Sequence, residues 1–305
     1  MRGILKRSLV ACVWVVLAAC TAVGADDPAA ARFRGTGAAD PIRVENLKKA
    51  AGPAAGQTSL GFDVAWNHSW RGRWEVPAQA HGGKGPLAVE NWDAAWLFVK
   101  FRVPGADGWS HATLSANAAD HAAPPAAKLD VGLSDDGTKG AGVFAFRSAV
   151  GSGPNDWKGV TLRWLHEADG VADPAAAEVQ VFAVHMVLVP EGAFWLGDGS
   201  TSFVGGQFSA GDTSAPYRVE SEAAIELGGD GPKNLGNRDT VGMYFRTDDF
   251  STGVTKTLPA RFPKGHAAFY CMRHELTERE IVAWLNALSS KAQATIQPFQ
   301  DKGNA

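Results

Sequence analysis

The chain has 305 residues, 45% hydrophobic and 20% charged, with a formal charge of −3. That is apolar material enough for one large domain or two ordinary ones. Neither a Lys/Arg run nor a basic patch interrupts it, which argues against a nucleic-acid partner. Eleven Trp and 35 Gly, with few long helical periods, lean the composition toward β-rich, loop-rich structure.

Residues 1–25 read as an export signal. In "MRGILKRSLVACVWVVLAACTAVGADDP" the cations Arg2, Lys6 and Arg7 precede an apolar run, Ser8 to Ala19, that is too short to span a bilayer. Two exits compete. "VGA" at Val23–Ala25 suits an ordinary signal peptidase, whereas "LAAC" at Leu17–Cys20 resembles a bacterial lipobox in which Cys20 becomes a lipidated first residue. Either exit takes the chain out of the cytoplasm, to the periplasm, the outer membrane as a lipoprotein, or the medium. The membrane is then a partner only through a lipid anchor on Cys20. Loss of the three cations leaves 26 basic against 32 acidic residues and a charge of about −6. Of Cys12, Cys20 and Cys271, only Cys271 survives either cut, so no intrachain disulfide is expected. Inside "AAFYCM", Cys271 reads as a small buried hydrophobe.

Residues 26–57, rich in Ala, Gly and Pro, read as a spacer with a short contact strand at "IRVENL". From residue 58 to 185 the signals are those of strands. "LGFDVAWNHSW", "AAWLFVKFRV", "KLDVGLS", "GVFAFRS", "GVTLRWLHE" and "AEVQVFAVHMVLVP" follow one another, separated by Gly, Pro, Asp and Asn clusters. This spacing predicts an antiparallel β-sandwich. "SDDGTKGAG" and "VGSGPNDWKG" read as hairpin or loop tips, with Asp136–Gly137 the stronger turn signal. Trp66, Trp70, Trp74, Trp92, Trp96 and Trp109 crowd one span among Asn, Asp, His and Arg. Strand alternation assigns Trp66 and Trp96 to the core. Trp70 and Trp92 are the candidate carbohydrate contacts, since rings stack on pyranose faces while nearby amides and carboxylates bond hydroxyls.

After Pro190 the chain becomes a long Gly-rich segment, with short strands expected at "YRVES" and "AAIELG". A helix follows. Thr277 and Glu280 form a capping box, and Ile281, Trp284, Leu285 and Leu288 recur at helical spacing. Residues 291–305 form a polar tail.

Two of these segments carry a family resemblance. "MVLVPEGAFWLGDG", Met186 to Gly199, resembles the opening hairpin of the formylglycine-generating-enzyme/sulfatase-modifying-factor domain. "AAFYCMRHELTEREIVAWLNAL" resembles its first-helix signature, with Glu275, Leu276, Thr277 and Trp284-Leu285-Asn286 in the matching places. The resemblance implies a mainly β (α+β) chain. An antiparallel sandwich at 58–185 is followed at 186–290 by the truncated start of a C-type-lectin-like module. For full-length members it also implies calcium, and copper that is held by a late pair of cysteines and with which O2 oxidises a substrate cysteine to formylglycine. Those late positions have no counterpart here, so no catalytic, cofactor or metal residue carries over, and this chain is expected to be inactive alone and without cofactor.

The remaining chemistry is sparse. The eight His are scattered, without H-E-x-x-H or C-x-x-C. "GDGSTS" near Ser200 lacks the context of a nucleophile elbow. Glu90 and Asp93 in "ENWDAAW" have the look of a glycosidase carboxylate pair, but no second sign of an active site accompanies them. "SDDGTKG" and "GDGPKNLGNRD" read as solvated turns before they read as calcium loops. Three readings remain: an exported, catalytically incompetent relative of the sulfatase-modifying factors; a sandwich that binds polysaccharide or envelope protein; and a structural envelope lipoprotein.

Overall fold

Apolar residues at every second position build the first part of the molecule, because strand side chains alternate between faces. The strands are β1 (Arg43–Ala51), β2 (Thr58–Val76), β3 (Leu87–Arg102), β4 (Ser110–His111), β5 (Ala127–Leu133), β6 (Gly140–Arg147), β7 (Gly151–Trp164) and β8 (Glu178–Val189). The computed structural model describes residues 41–78, 85–197, 208–211, 213, 215–228, 231–236 and 256–295. The export signal, Cys20, Ser200, residues 26–40 of the spacer and the end of the tail lie outside the described residues. Every described element belongs to Ile42–Ala305, a single unit by its contacts.

The two longest strands exchange partners midway. From Thr58 to Arg71, β2 pairs with β7, and its first half also pairs with β1. From Arg71 to Val76 it pairs instead with Leu87–Trp92 of β3. Beyond that point β3 runs between β8 on one side and β6, then β4, on the other, and β5 extends the sheet from β6. All of these pairings are antiparallel, and the protein is mainly β. Leu60, Phe62, Val64 and Trp66 of β2 share one core with Leu97, Val99 and Phe101 of β3 and Val160, Leu162 and Trp164 of β7. Trp66 meets Trp157 edge-on at 4.9 Å, a geometry worth about 0.5–1.5 kcal/mol beyond its buried area.

Two expectations change here. "VGSGPNDWKG" is no loop tip: β7 begins at Gly151 and pairs with β2 across it. Gly151 and Gly153 take φ of +147° and +127°, extended backbone on the side that only glycine enters easily. Trp96, expected in the core, sits on the other face of its sheet. It is an odd number of residues from Asp93, Ala95 and Leu97, and its ring covers the spaces where Gly132 and Gly142 lack a Cβ.

Residues after Pro190 gather around a second, smaller core of Tyr217, Val219, Ile225 and Leu235, with Phe194, Leu196, Ala210, Leu227 and Leu258 packed against it. Its strands are short: β9 (Phe194–Leu196), β10 (Ser209–Ala210), β11 (Tyr217–Val219), β12 (Ile225–Leu227), β13 (Leu235–Gly236) and β14 (Lys256–Leu258). β9 pairs with β11, and the other four form their own sheet. Side chain-to-backbone bonds substitute for long ladders. Glu222 accepts from the backbone N–H groups of Lys264, His266 and Ala267 at 2.5, 2.8 and 2.9 Å. Those donors hold its carboxyl below the ordinary glutamate range. The Lys264 ammonium donates to the carbonyls of Pro259 and Phe262 at 2.6 Å each.

The two runs of "MVLVPEGAFWLG" do not form a hairpin with each other. The first is the end of β8, which continues through residue 186 without a break and pairs with β15 (Phe269–Met272). The second is β9, paired with β11. Helix α1 (Glu278–Asn286) starts as the sequence predicts, with both arms of the Thr277/Glu280 capping box formed. Its apolar stripe is only partly covered, however, and Trp284 is 50% exposed. The helix end is tied to the β3–β4 loop: Trp109 N–H donates to Ala287 O, and Asp107 accepts from Ser290, the first residue of α2 (Ser290–Thr295). Cys271, expected to be buried, is exposed on β15, whose single partner among the described strands is β8.

Candidate functional site

The point where β2 and β3 change partners is organised by Asp93, which is fully buried. Just before it, β2 bulges against β7 between Trp66 and Ser69, which frees backbone groups that must be satisfied elsewhere. Asp93 supplies the acceptors. Oδ1 accepts from Ser69 Oγ and Trp70 N–H, both at 2.8 Å, and Oδ2 accepts from Trp66 Nε1 at 2.9 Å and His185 Nε2 at 2.8 Å. Arg273, just past β15, approaches Oδ2 to 3.7 Å and donates to His68 O at 2.9 Å. Four donors and a nearby guanidinium compensate the burial of one carboxylate.

This Asp, His and Ser do not make a nucleophilic triad. In that arrangement the imidazole stands between the hydroxyl and the carboxylate. Here Ser69 is 1% exposed and donates straight to Asp93 Oδ1, while His185 Nε2 meets the other carboxylate oxygen and not the hydroxyl. Nor do Glu90 and Asp93 form a carboxylate pair. Three residues apart on one strand, they point to opposite faces, and Glu90 is bonded to Arg71 at 2.7 Å. The cluster holds β2, β3, β8 and the segment after β15 together.

Beyond Asp93, β2 and β3 continue as a two-stranded ribbon with dissimilar faces. Its register places Gly72 opposite Asn91, Trp74 opposite Val89 and Val76 opposite Leu87. Trp70 shares this face, with Ser152 of β7 opposite it. The rings of Trp70 and Trp74 both lean over Gly72: a Cβ there would stand 3.4 Å from Trp74 and 3.9 Å from Trp70. Trp74 is 44% exposed, a large apolar area to leave in solvent. Asn91 is half-buried, and its Oδ1 has no hydrogen-bond partner. No ribbon residue on this face is ionisable.

The other face carries Arg71, Arg73, Glu90 and Trp92. Trp92 stacks on Phe146 at 4.7 Å, lies under the Arg71 guanidinium at 4.6 Å, and donates its Nε1 proton to Tyr270 Oη at 3.0 Å. Tyr270 in turn stacks on Phe144, and burial pushes its hydroxyl pKa up to about 12.

Of the residues singled out from the sequence, Trp70 and Trp92 are therefore not brought together. They occupy opposite faces of the ribbon, and Trp92 spends its ring and its proton on contacts within the protein. Sequence reasoning missed Trp74 and Asn91 as companions of Trp70. The signal was available for Trp74, which stands four residues on and so on the same strand face. The partner Asn91 depends on a cross-strand register that no local pattern specifies.

Among the described residues there is no group of three or more His, Cys, Asp or Glu placed to hold a metal ion. Cys271 has no second thiolate near it there, so the residues present do not fit the cysteine pair that the family resemblance implies for copper. In the "SDDGTKG" turn, Asp136 is occupied by Ser134 and Thr138, whose hydrogen bonds bring its carboxyl down to about 2. No helix among the described residues is long and apolar enough to cross a membrane. Compared with known proteins, the chain matches no family model, no curated protein and no solved structure.

Proposed function

We propose that this chain is an exported binding module. Its strands β1–β8 form a β-sandwich, and the projecting β2–β3 ribbon takes a polysaccharide on the face made by Trp70 and Trp74. One observation carries the reading: two tryptophans lean together over a glycine on an uncharged strand face, and Trp74 keeps 44% of its surface in solvent. A pyranose ring offers C–H groups to such a surface, and its hydroxyls need amide or hydroxyl partners at the edge. Asn91 and Ser152 stand at that edge. Trp92 supports the ribbon from behind, through Phe146, Arg71 and Tyr270.

Affinity electrophoresis through gels containing soluble polysaccharide tests this. Trp70→Ala and Trp74→Ala are expected to lose at least tenfold in retention, with the melting temperature of Trp74→Ala unchanged. Trp92→Ala is expected to lower stability through the lost stacking. Retention by the wild type that survives both ribbon substitutions, or no retention on any polymer, overturns the proposal.

A second reading follows the family resemblance. The two segments that carry it, at the end of β8 and in β15, pair in register from Phe269–Val189 to Met272–Met186, and the capped helix follows directly. That adjacency supports reading 186–290 as part of a sulfatase-modifying-factor-like module with no catalytic residue assigned. The envelope-lipoprotein form of the proposal turns on Cys20. Palmitate labelling of the wild type that disappears in Cys20→Ala supports it, and an unlabelled wild type removes it.

A further inference from the structure

Resting on the polysaccharide reading above, we infer that the ligand is a neutral glycan and that the ribbon excludes acidic ones. The inference comes from how charge is sorted between the two faces. On the Trp70–Trp74 face every ribbon position is apolar, glycine or an uncharged amide: Trp70, Gly72, Trp74 and Val76 on β2, and Leu87, Val89 and Asn91 on β3. Ser152 adds only a hydroxyl. The ionised groups alternate onto the reverse face, where Arg71 is paired to Glu90 at 2.7 Å and Arg73 stands 3.8 Å from the same carboxylate.

A uronate or sulfate pressed against the tryptophan face would lose water and find no cation among the ribbon positions of that face, while the nearby Arg147 guanidinium is already bonded to Gly153 O and Asn155 Oδ1. That is unfavourable whatever the ring stacking contributes. A neutral hexose chain loses little on the same surface. Its C–H faces cover the two rings, and one hydroxyl can donate to the Asn91 amide oxygen, which has no protein partner. Rotation of the amide is required, because that oxygen is covered in the free protein. The Cα atoms of Trp70 and Trp74 are about 13 Å apart at strand spacing, so the surface suits a chain of sugars rather than a lone ring. Attraction that involves no net charge is not screened by salt.

The full chain is run through gels containing hydroxyethylcellulose or polygalacturonate, at low salt and at about tenfold higher salt. The expected result is retention by hydroxyethylcellulose that changes less than twofold with salt, is lost in Trp74→Ala and is kept in Arg73→Glu. Polygalacturonate should leave mobility unchanged. Retention by polygalacturonate that falls with salt and still requires Trp74 overturns the neutral-ligand inference while sparing the polysaccharide reading. Retention on either polymer that requires Arg73 and ignores Trp74 sinks both, and so does the absence of retention on both polymers.

Discussion

The body built from β1–β8 and the small core after Pro190 are held by different means. In the body, strands of up to 19 residues alternate apolar and polar positions, and Trp66, Trp164, Phe62 and Leu97 are fully buried. In the later region, strands of two or three residues surround four buried side chains, and one carboxylate and one ammonium organise the connecting backbone. Long alternating strands generate their own core, whereas a region with little regular structure needs polar side chains to satisfy its backbone. Damage to the first should therefore be global, and damage to the second local.

The largest effect is expected at Asp93. Asp93→Ala strands four donors in a dry site and leaves Arg273 without its nearby carboxylate. It should cost about 3–5 kcal/mol, read as a fall in the single main denaturant transition. A loss confined to the region after Pro190 would break the contrast between the two regions. Next comes Gly142→Ala, whose new Cβ would stand 2.4 Å from the Trp96 ring. Overpacking of this kind costs about 1–3 kcal/mol. If the ring is the cause, Gly142→Ala and Trp96→Ala together should cost less than their sum; strict additivity would place the strain elsewhere.

Smaller still, Thr277→Ala removes the cap of α1 at about 1 kcal/mol, visible as faster amide exchange in residues 278–286 with the body unaffected. The last effect concerns acid. The Glu222 carboxyl is depressed below its ordinary 4.5 by three backbone donors, so its contribution is complete above 4.5 and disappears as pH falls through the lowered value. Protection of the Lys264, His266 and Ala267 amides should drop in that window, and in Glu222→Gln it should already be reduced at neutral pH. Unchanged protection in both would show that Glu222 does not organise the small core.

Much of the body was legible in the sequence. Phe62, Val64 and Trp66 alternate, and β5, β6 and β8 lie within two residues of the stretches expected, whereas β3 and β7 begin at Leu87 and Gly151, well before "AAWLFVKFRV" and "GVTLRWLHE". "VGSGPNDWKG" was misread because glycine and proline signal turns locally, while here two glycines let β7 continue past the β2 bulge. The site was half legible. Trp70 stood out by composition and Trp74 follows from alternation, but Asn91 and the separation from Trp92 depend on register. Cys271 and Trp284 look buried by their neighbours in sequence, yet neither the β15 edge nor the outer side of α1 is covered among the described residues.

By itself, the sequence determined the β-rich class, the alternating core and the capped helix. Each of these follows from local periodicity or from groups a few residues apart. Only the tertiary structure decided where β2 and β3 exchange partners, which buried carboxylate satisfies the bulge, and that Trp92 lies on the face opposite Trp70. Those outcomes depend on pairings between residues 23 to 205 positions apart, whose energies exist only once the chain has folded.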